Sequence, residues 1–324
     1  MSNKKELQEA LKIRPNTGLP DSFMQNKFVV CCGEDPDELA KAIKLVLPGK
    51  LARRHQYRNY HAWKFAGLTI VLSGIGTGCL EPLIYELLNR DESANNHKQP
   101  DPIKLTLIGT AGYLADSGCG KLFVVNAAYP VGCAVAIPEA DLPLGYNFDG
   151  AECIAIPHRI GISTDYYYGF SPNLTDQRLV NARNHNPSLA QGIKQHWRPR
   201  RLIDMETAQF YHFCSIYGAK DTQYVAIRGI ANLADQFETQ GDFSQNILTS
   251  GLELALVFLG IKNIQHSSDL LHQITERKAQ LRYLLKVCRG REFWRGRWSK
   301  RLRYSTHFRR HRSCATPHLE SSQA

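Results

Sequence analysis

Leu68-Thr69-Ile70-Val71-Leu72-Ser73-Gly74-Ile75-Gly76-Thr77-Gly78 opens as an apolar run and closes on three glycines at alternate positions. A short, unbroken, β-branched run of this kind predicts a strand covered on both faces. Residues 80–88 then carry apolar side chains at helical spacing, so the stretch predicts strand, tight glycine turn and helix. The same texture appears upstream, where Phe28-Val29-Val30-Cys31-Cys32 ends at Gly33. Residues 35–47 follow with Leu39, Ala42, Ile43, Val46 and Leu47 on one helical face, stopped by Pro48-Gly49. Downstream, residues 105–108 run into Gly109-Thr110-Ala111-Gly112. Shorter β-rich runs lie at 121–126, 153–157 and 160–163, followed by a helix over 205–217, a strand at 223–227 and a helix over 243–259. Strands alternating with helices predict an α/β fold, three-layer α-β-α with a mixed central sheet.

Three segments are expected: a polar N-terminal extension over 1–27, read as a short helix and a linker, one domain over 28–262, and a basic helix and tail over 263–324. The net charge of +10 is uneven, since residues 277–312 hold fourteen Lys/Arg against Glu292 alone; that segment carries +13 and the remainder −3. The basic character belongs to the tail, where arginines alternate with Phe293, Trp294, Trp298, Tyr304 and Phe308. That composition suits an accessory extension, a nucleic-acid contact or an anionic surface contact. The N-terminus lacks the apolar core of a signal peptide, and the greasiest run, residues 252–261, is too short to span a bilayer. A cytoplasmic protein without a transmembrane segment is expected. Nine cysteines form no C-x-x-C pair and twelve histidines no H-x-x-x-H, so reduced thiols are expected and no metal.

Glycines at strand ends let a ligand approach backbone N–H groups, and a following helix N-terminus favours an anion or polar group. A dinucleotide fingerprint fits poorly: Cys79 holds its third glycine position and Asn95-Asn96 the place of its acid. No Gly-Lys-Ser/Thr follows any turn, which removes a P-loop. No cofactor is expected.

Taken in order, Gly74-Ile75-Gly76, Gly109-Thr110-Ala111-Gly112, Ser163-Thr164-Asp165-Tyr166-Tyr167-Tyr168, Asp204-Met205-Glu206-Thr207-Ala208 and Ile227-Arg228-Gly229-Ile230-Ala231-Asn232-Leu233-Ala234-Asp235 resemble the purine nucleoside phosphorylase/methylthioadenosine nucleosidase superfamily. The resemblance spans about residues 28 to 262 and implies a catalytic domain there that cleaves the bond between a purine and its ribose. Such chemistry builds positive charge on the sugar and negative charge on the departing base. By resemblance, Glu206 clamps the ribose hydroxyls, Met205 packs on the sugar, and Tyr167 stacks on the base. Asp204, Gly76, Thr110, Ala111 and Gly112 line the substrate, and Ser163 and Asp165 support the loop. Asn232 stands where many members carry the aspartate that protonates purine N7. Its amide cannot supply that proton but can hydrogen-bond N7 and O6, which resembles members acting on 6-oxopurines, including futalosine hydrolases.

The attacking group is water or phosphate. Phosphorylases of the family hold phosphate with arginines, one of them at a position filled here by Leu107. The first turn offers Glu34, Asp35, Asp37 and Glu38 instead, a cluster that repels a dianion. Glu38, with Glu34 beside it, is the expected base for water, although some of these acids cap the helix that follows. Hydrolysis leads; Arg53, Arg54 and Arg58 keep phosphorolysis as the alternative, because family phosphorylases borrow an arginine from a neighbouring subunit. The resemblance also implies a homo-oligomer. A non-catalytic protein that binds nucleosides, or nucleic acid through its tail, is the reading from another class.

Overall fold

Phe28, Val29, Val30, Cys31 and Cys32 are all buried, as a strand covered on both faces requires, and form β1 (Lys27–Cys32). The computed structural model of the chain describes residues 13–50, 52–89, 102–113, 120–130, 144–148, 158–164, 202–233 and 244–261. Contacts divide the chain into Met1–Ile264 and Gln265–Ala324, and every described residue lies in the first unit. On one side β1 pairs in parallel with β4 (Leu68–Ser73), on the other with β5 (Lys104–Tyr113). The helices cover both faces. On one, α1 (Pro36–Val46) and α4 (Ser244–Phe258) bury Leu39, Ile43, Leu252 and Leu256 against Val29 and Ile70. On the other, α2 (Thr77–Leu88) and α3 (Thr207–Tyr217) bury Leu83, Leu87, Phe210 and Phe213 against Val30 and Val71. This is the expected three-layer α-β-α arrangement.

The sheet is mixed. Beyond β4 it continues antiparallel through β3 (Tyr60–Phe65) to β2 (Arg53–Tyr57), which forms an open edge. Beyond β5 it curls into a ring. β5 pairs with β9 (Leu202–Asp204), β9 with β8 (His158–Ser163), β8 with β6 (Leu122–Pro130), β6 with β10 (Gln223–Leu233), and β10 again with β5. Short β7 (Leu144–Gly145) joins β6.

Two readings change. Gly109-Thr110-Ala111-Gly112 is not a turn, because β5 and β10 remain paired in register from Gln223↔Lys104 to Leu233↔Tyr113, with one irregularity between Ile230 and Asn232. Pairing with β10, joined at Gly112 by β9 on the other side, carries the glycines along as extended backbone. Residues 13–26 do not behave as a linker either: Leu19 and Phe23 are buried in the core. Asn16 and Thr17 donate both backbone N–H groups and both side-chain donors to the buried Glu86 carboxylate on α2. The strand expected at 153–157 lies outside the described residues. Cys31, Cys32 and Cys214 are buried free thiols, and among the described residues no helix is long and apolar enough to cross a membrane.

Candidate functional site

The C-terminal end of β1, the end of β4 and the middle of β5 lie side by side, so the segments at Gly33, Gly74–Gly76 and Gly109–Gly112 share one end of the sheet. Gly76 caps α2 at φ 82, a conformation other residues rarely adopt, and its N–H donates to Glu206 Oε1 at 3.1 Å. Glu206 itself is buried at the start of α3. Burial pushes its carboxyl up, and the neighbouring Arg228 guanidinium pulls it back down.

Arg228 is the centre of the cluster. It is fully buried in β10, and a buried guanidinium persists only with partners. Its Nη2 lies 3.2 Å from Glu206 Oε2, and its Nε lies 3.1 Å from Asp204 Oδ2 and donates to Thr207 Oγ1 at 2.9 Å. Burial works against its charge, but Asp204 and Glu206 outweigh that and hold its pKa above the ordinary arginine value. Room for the side chain comes from Gly109 on the neighbouring strand, where a Cβ would stand 2.4 Å from Arg228 Nη1.

Asp204 ends β9 and is tied from every side. Its Oδ1 accepts from Ser163 Oγ at 2.6 Å and from the N–H groups of Glu206 and Thr207 at 3.1 and 3.0 Å, and its Oδ2 from the Thr207 hydroxyl. Ser163 Oγ also accepts the Ala208 N–H at 2.8 Å, which pins the start of α3 to β8. Asp204 therefore serves as anchor for the turn that carries Met205, which is half-buried, and Glu206.

The first turn divides its acids. Asp35 caps α1, accepting the N–H groups of Asp37 and Glu38 at 2.8 and 3.0 Å. Glu34 instead reaches across to β5, where its Oε1 accepts the Thr110 N–H at 3.0 Å. Burial raises the Glu34 carboxyl, the Thr110 hydrogen bonds oppose this, and the nearby Glu38 adds to the rise. Glu38 sits half-exposed on the first turn of α1.

The structure thus brings Glu34, Gly76, Thr110, Asp204 and Glu206 together around Arg228, with Glu38 next to Glu34. Ala111 is buried opposite Ile230, and Gly112 pairs with Ile203 and with the backbone of Asn232. Tyr167 and Asp165 lie outside the described residues, and of Asn232 only the backbone is described. Sequence reasoning gave Arg228 no role. The signal was a charged residue in the middle of an apolar strand, Tyr224-Val225-Ala226-Ile227, directly before Gly229.

This arrangement is the nucleoside phosphorylase/nucleosidase fold. The chain is similar to uridine phosphorylase from Vibrio fischeri, at 19% identity over 79% of this chain and 100% of that one, with a TM-score of 0.54. It is similar to purine nucleoside phosphorylase from Toxoplasma gondii, solved in complex with immucillin-H, at 16% identity over 77% and 98% with a TM-score of 0.53. A third match is a protein assigned as a 5′-methylthioadenosine/S-adenosylhomocysteine nucleosidase from Francisella philomiragia, at 14% identity over 73% and 99% with a TM-score of 0.50. No protein-family model and no curated protein matches the sequence.

Proposed function

We propose that the chain is an enzyme acting on an N-glycosidic bond, a nucleosidase that releases a purine base from its nucleoside with water as the attacking group. The observation that carries this reading is what already occupies the site's donors. The Gly76 N–H is taken by Glu206, the Thr110 N–H by Glu34, and the Arg228 guanidinium by Asp204 and Glu206. Three carboxylates around one cation leave an excess of negative charge, which repels a phosphate dianion and stabilises a sugar that becomes cationic as its bond breaks.

In this reading Glu206 accepts hydrogen bonds from the ribose hydroxyls. Each of its oxygens makes one interaction here, and a carboxylate has about four lone-pair sites, so capacity remains. Glu34 takes the proton from water, its raised pKa making it a stronger base than an ordinary carboxylate. It is favoured over Glu38 because it reaches β5. The family resemblance assigns the departing base to Tyr167 and to the Asn232 amide, a pairing that suits a 6-oxopurine.

Inosine, guanosine, adenosine, methylthioadenosine and futalosine, each with and without phosphate, form the test, with base release followed by chromatography. Release without phosphate is expected, falling by about 10²–10³ in Glu206→Ala. Release that depends on phosphate replaces hydrolysis with phosphorolysis. No release under either condition removes the enzymatic reading.

A further inference from the structure

We infer that Tyr211 on α3 is a positioning residue for the site, its hydroxyl set into the β6–β10 ladder so as to fix where Arg228 meets Glu206. Its bearing on base release rests on the nucleosidase reading; its geometry does not. β6 and β10 run antiparallel, with Arg228 opposite Phe123 and Ile227 opposite Val124. The Ile230 N–H donates to Lys121 O at 2.9 Å, and such bonds recur at every second residue of an antiparallel pair. By that parity the Ala226 N–H is due at Val125 O. The ladder ends one residue short of this rung. There the Ala226 N–H donates to the Tyr211 hydroxyl at 3.1 Å, and the hydroxyl donates to Val125 O. Two bonds in series replace one, so Ala226 N and Val125 O stand further apart than the roughly 2.9 Å of a direct bond. Val125 also borders the irregularity in the pairing of β6 with β8. Past it, residues 144–148 enter the opening, with Gly145 opposite Ala127 on β6 and Asn147 opposite Tyr224 on β10.

Tyr211 is fully buried, and burial pushes its phenol well above the ordinary value, so the hydroxyl stays protonated and donates and accepts at once. It follows Thr207 by one helical turn, on the same face of α3. Side chains alternate along a strand, so Ala226 and Arg228 share one face of β10. The helix therefore meets β10 at two heights about 6 Å apart, Thr207 on Arg228 and Tyr211 on Ala226. Ser163 and Asp204 tie the start of α3 to β8 and β9 instead. They place Glu206 but not the strand that carries Arg228. The Tyr211 bond joins helix to strand without using Arg228 or either acid, and so sets their spacing from outside. β6 lies on the side of β10 away from β5, over which Arg228 reaches across Gly109. Arg228 Nη2 lies 3.2 Å from Glu206 Oε2 and Nε 3.1 Å from Asp204 Oδ2, already long for charged partners. Drawing β10 towards β6 by about 1 Å takes both beyond bonding distance.

The test is the titration of the Glu206 carboxyl carbon by NMR in the full chain, assigned through its loss in Glu206→Gln. Tyr211→Phe keeps the ring and removes the hydroxyl, so the rung closes directly and Arg228 recedes. Arg228 pulls the Glu206 carboxyl down against burial and Asp204, so the titration midpoint is expected to rise in Tyr211→Phe. Tyr224→Phe, whose ring lies 5.9 Å from that of Tyr211 but outside the rung, leaves the midpoint unmoved. Base release from the nucleoside that the parent cleaves should fall by about 10–10²-fold in kcat/KM, and no further when Tyr211→Phe is added to Glu206→Ala. Urea midpoints check folding, with sucrose added to hold a marginal variant folded. In the parent, the Tyr211 ring protons should show a nuclear Overhauser contact to the Ala226 amide, a reading that needs no variant. A missing contact, an unmoved Glu206 titration, or base release within about twofold of the parent overturns the proposal. A parent that releases no base removes the nucleosidase reading instead, and the titration still decides the role of Tyr211.

Discussion

Replacing Arg228 with methionine keeps a long side chain and removes the cation that Asp204 and Glu206 share. Both carboxylates remain buried, one tied by Ser163 and Thr207, the other by Gly76. Breaking a buried pair by deleting one partner costs about 3–5 kcal/mol, because the remaining charge has neither water nor a counter-ion. Arg228→Met should therefore lose roughly that much stability at pH 8, read as a lower urea midpoint with an unchanged slope. The loss should also depend on pH. Burial already raises the Glu206 carboxyl above its ordinary 4.5, and Arg228 opposes that rise. Without Arg228 the folded value climbs further above the unfolded one. The cost of ionising Glu206 is then present above the folded value and fades as pH falls through it towards the unfolded value, since the folded state there binds the extra proton. Arg228→Met should thus regain part of its deficit on acidification, and Arg228→Met/Glu206→Gln should regain part of it at pH 8. A variant within 1 kcal/mol of the parent at pH 8, or a deficit independent of pH, refutes the reasoning.

Glu34→Gln should lower base release at every pH and abolish the acidic limb of the profile. In the parent that limb falls as pH drops through the raised Glu34 value, above the ordinary 4.5. Gly109→Ala sets a methyl 2.4 Å from Arg228 Nη1 and should cost about 1–3 kcal/mol in urea unfolding, together with much of the activity. Glu86→Met removes the acceptor of four hydrogen bonds from Asn16 and Thr17; hydrogen exchange at those two amides should accelerate by about tenfold or more, while α3 amides hold.

The elements with one dominant physical signal were legible in the sequence. Val29 to Cys32 and Leu68 to Leu72 are apolar on both faces, and Leu39, Ile43 and Val46 repeat at helical spacing, so β1, β4 and α1 could be read directly. The β2–β3 hairpin could not, because β2 at the sheet edge is largely exposed on both faces and shows no alternation. Gly109 to Gly112 suggested a turn, since glycine usually marks one; pairing with β10, more than a hundred residues away, outweighs that preference. Within the site, Glu206 was read from its motif and Glu34 only as second to Glu38. The choice depends on which acid reaches β5 and which stays at the helix start, a matter of three-dimensional register that spacing does not encode. Asp35 shows the competition plainly: it is spent on the cap of α1.

The ring of strands has a consequence for the order in which the chain can mature. Arg228 arrives on β10, the last strand of the ring, whereas its partners Asp204 and Glu206 come just before it and the backbone donors of Gly76 and Thr110 far earlier. A chain emerging from the ribosome could pack β1, β4 and β5 well before β10 exists, but it would face two acids with no cation to bury them. Closure of the loop between β5 and β10 is a long-range, entropically expensive event. A nascent or clipped chain ending before Arg228 should therefore keep an open, hydrated cleft, a state that limited proteolysis would detect.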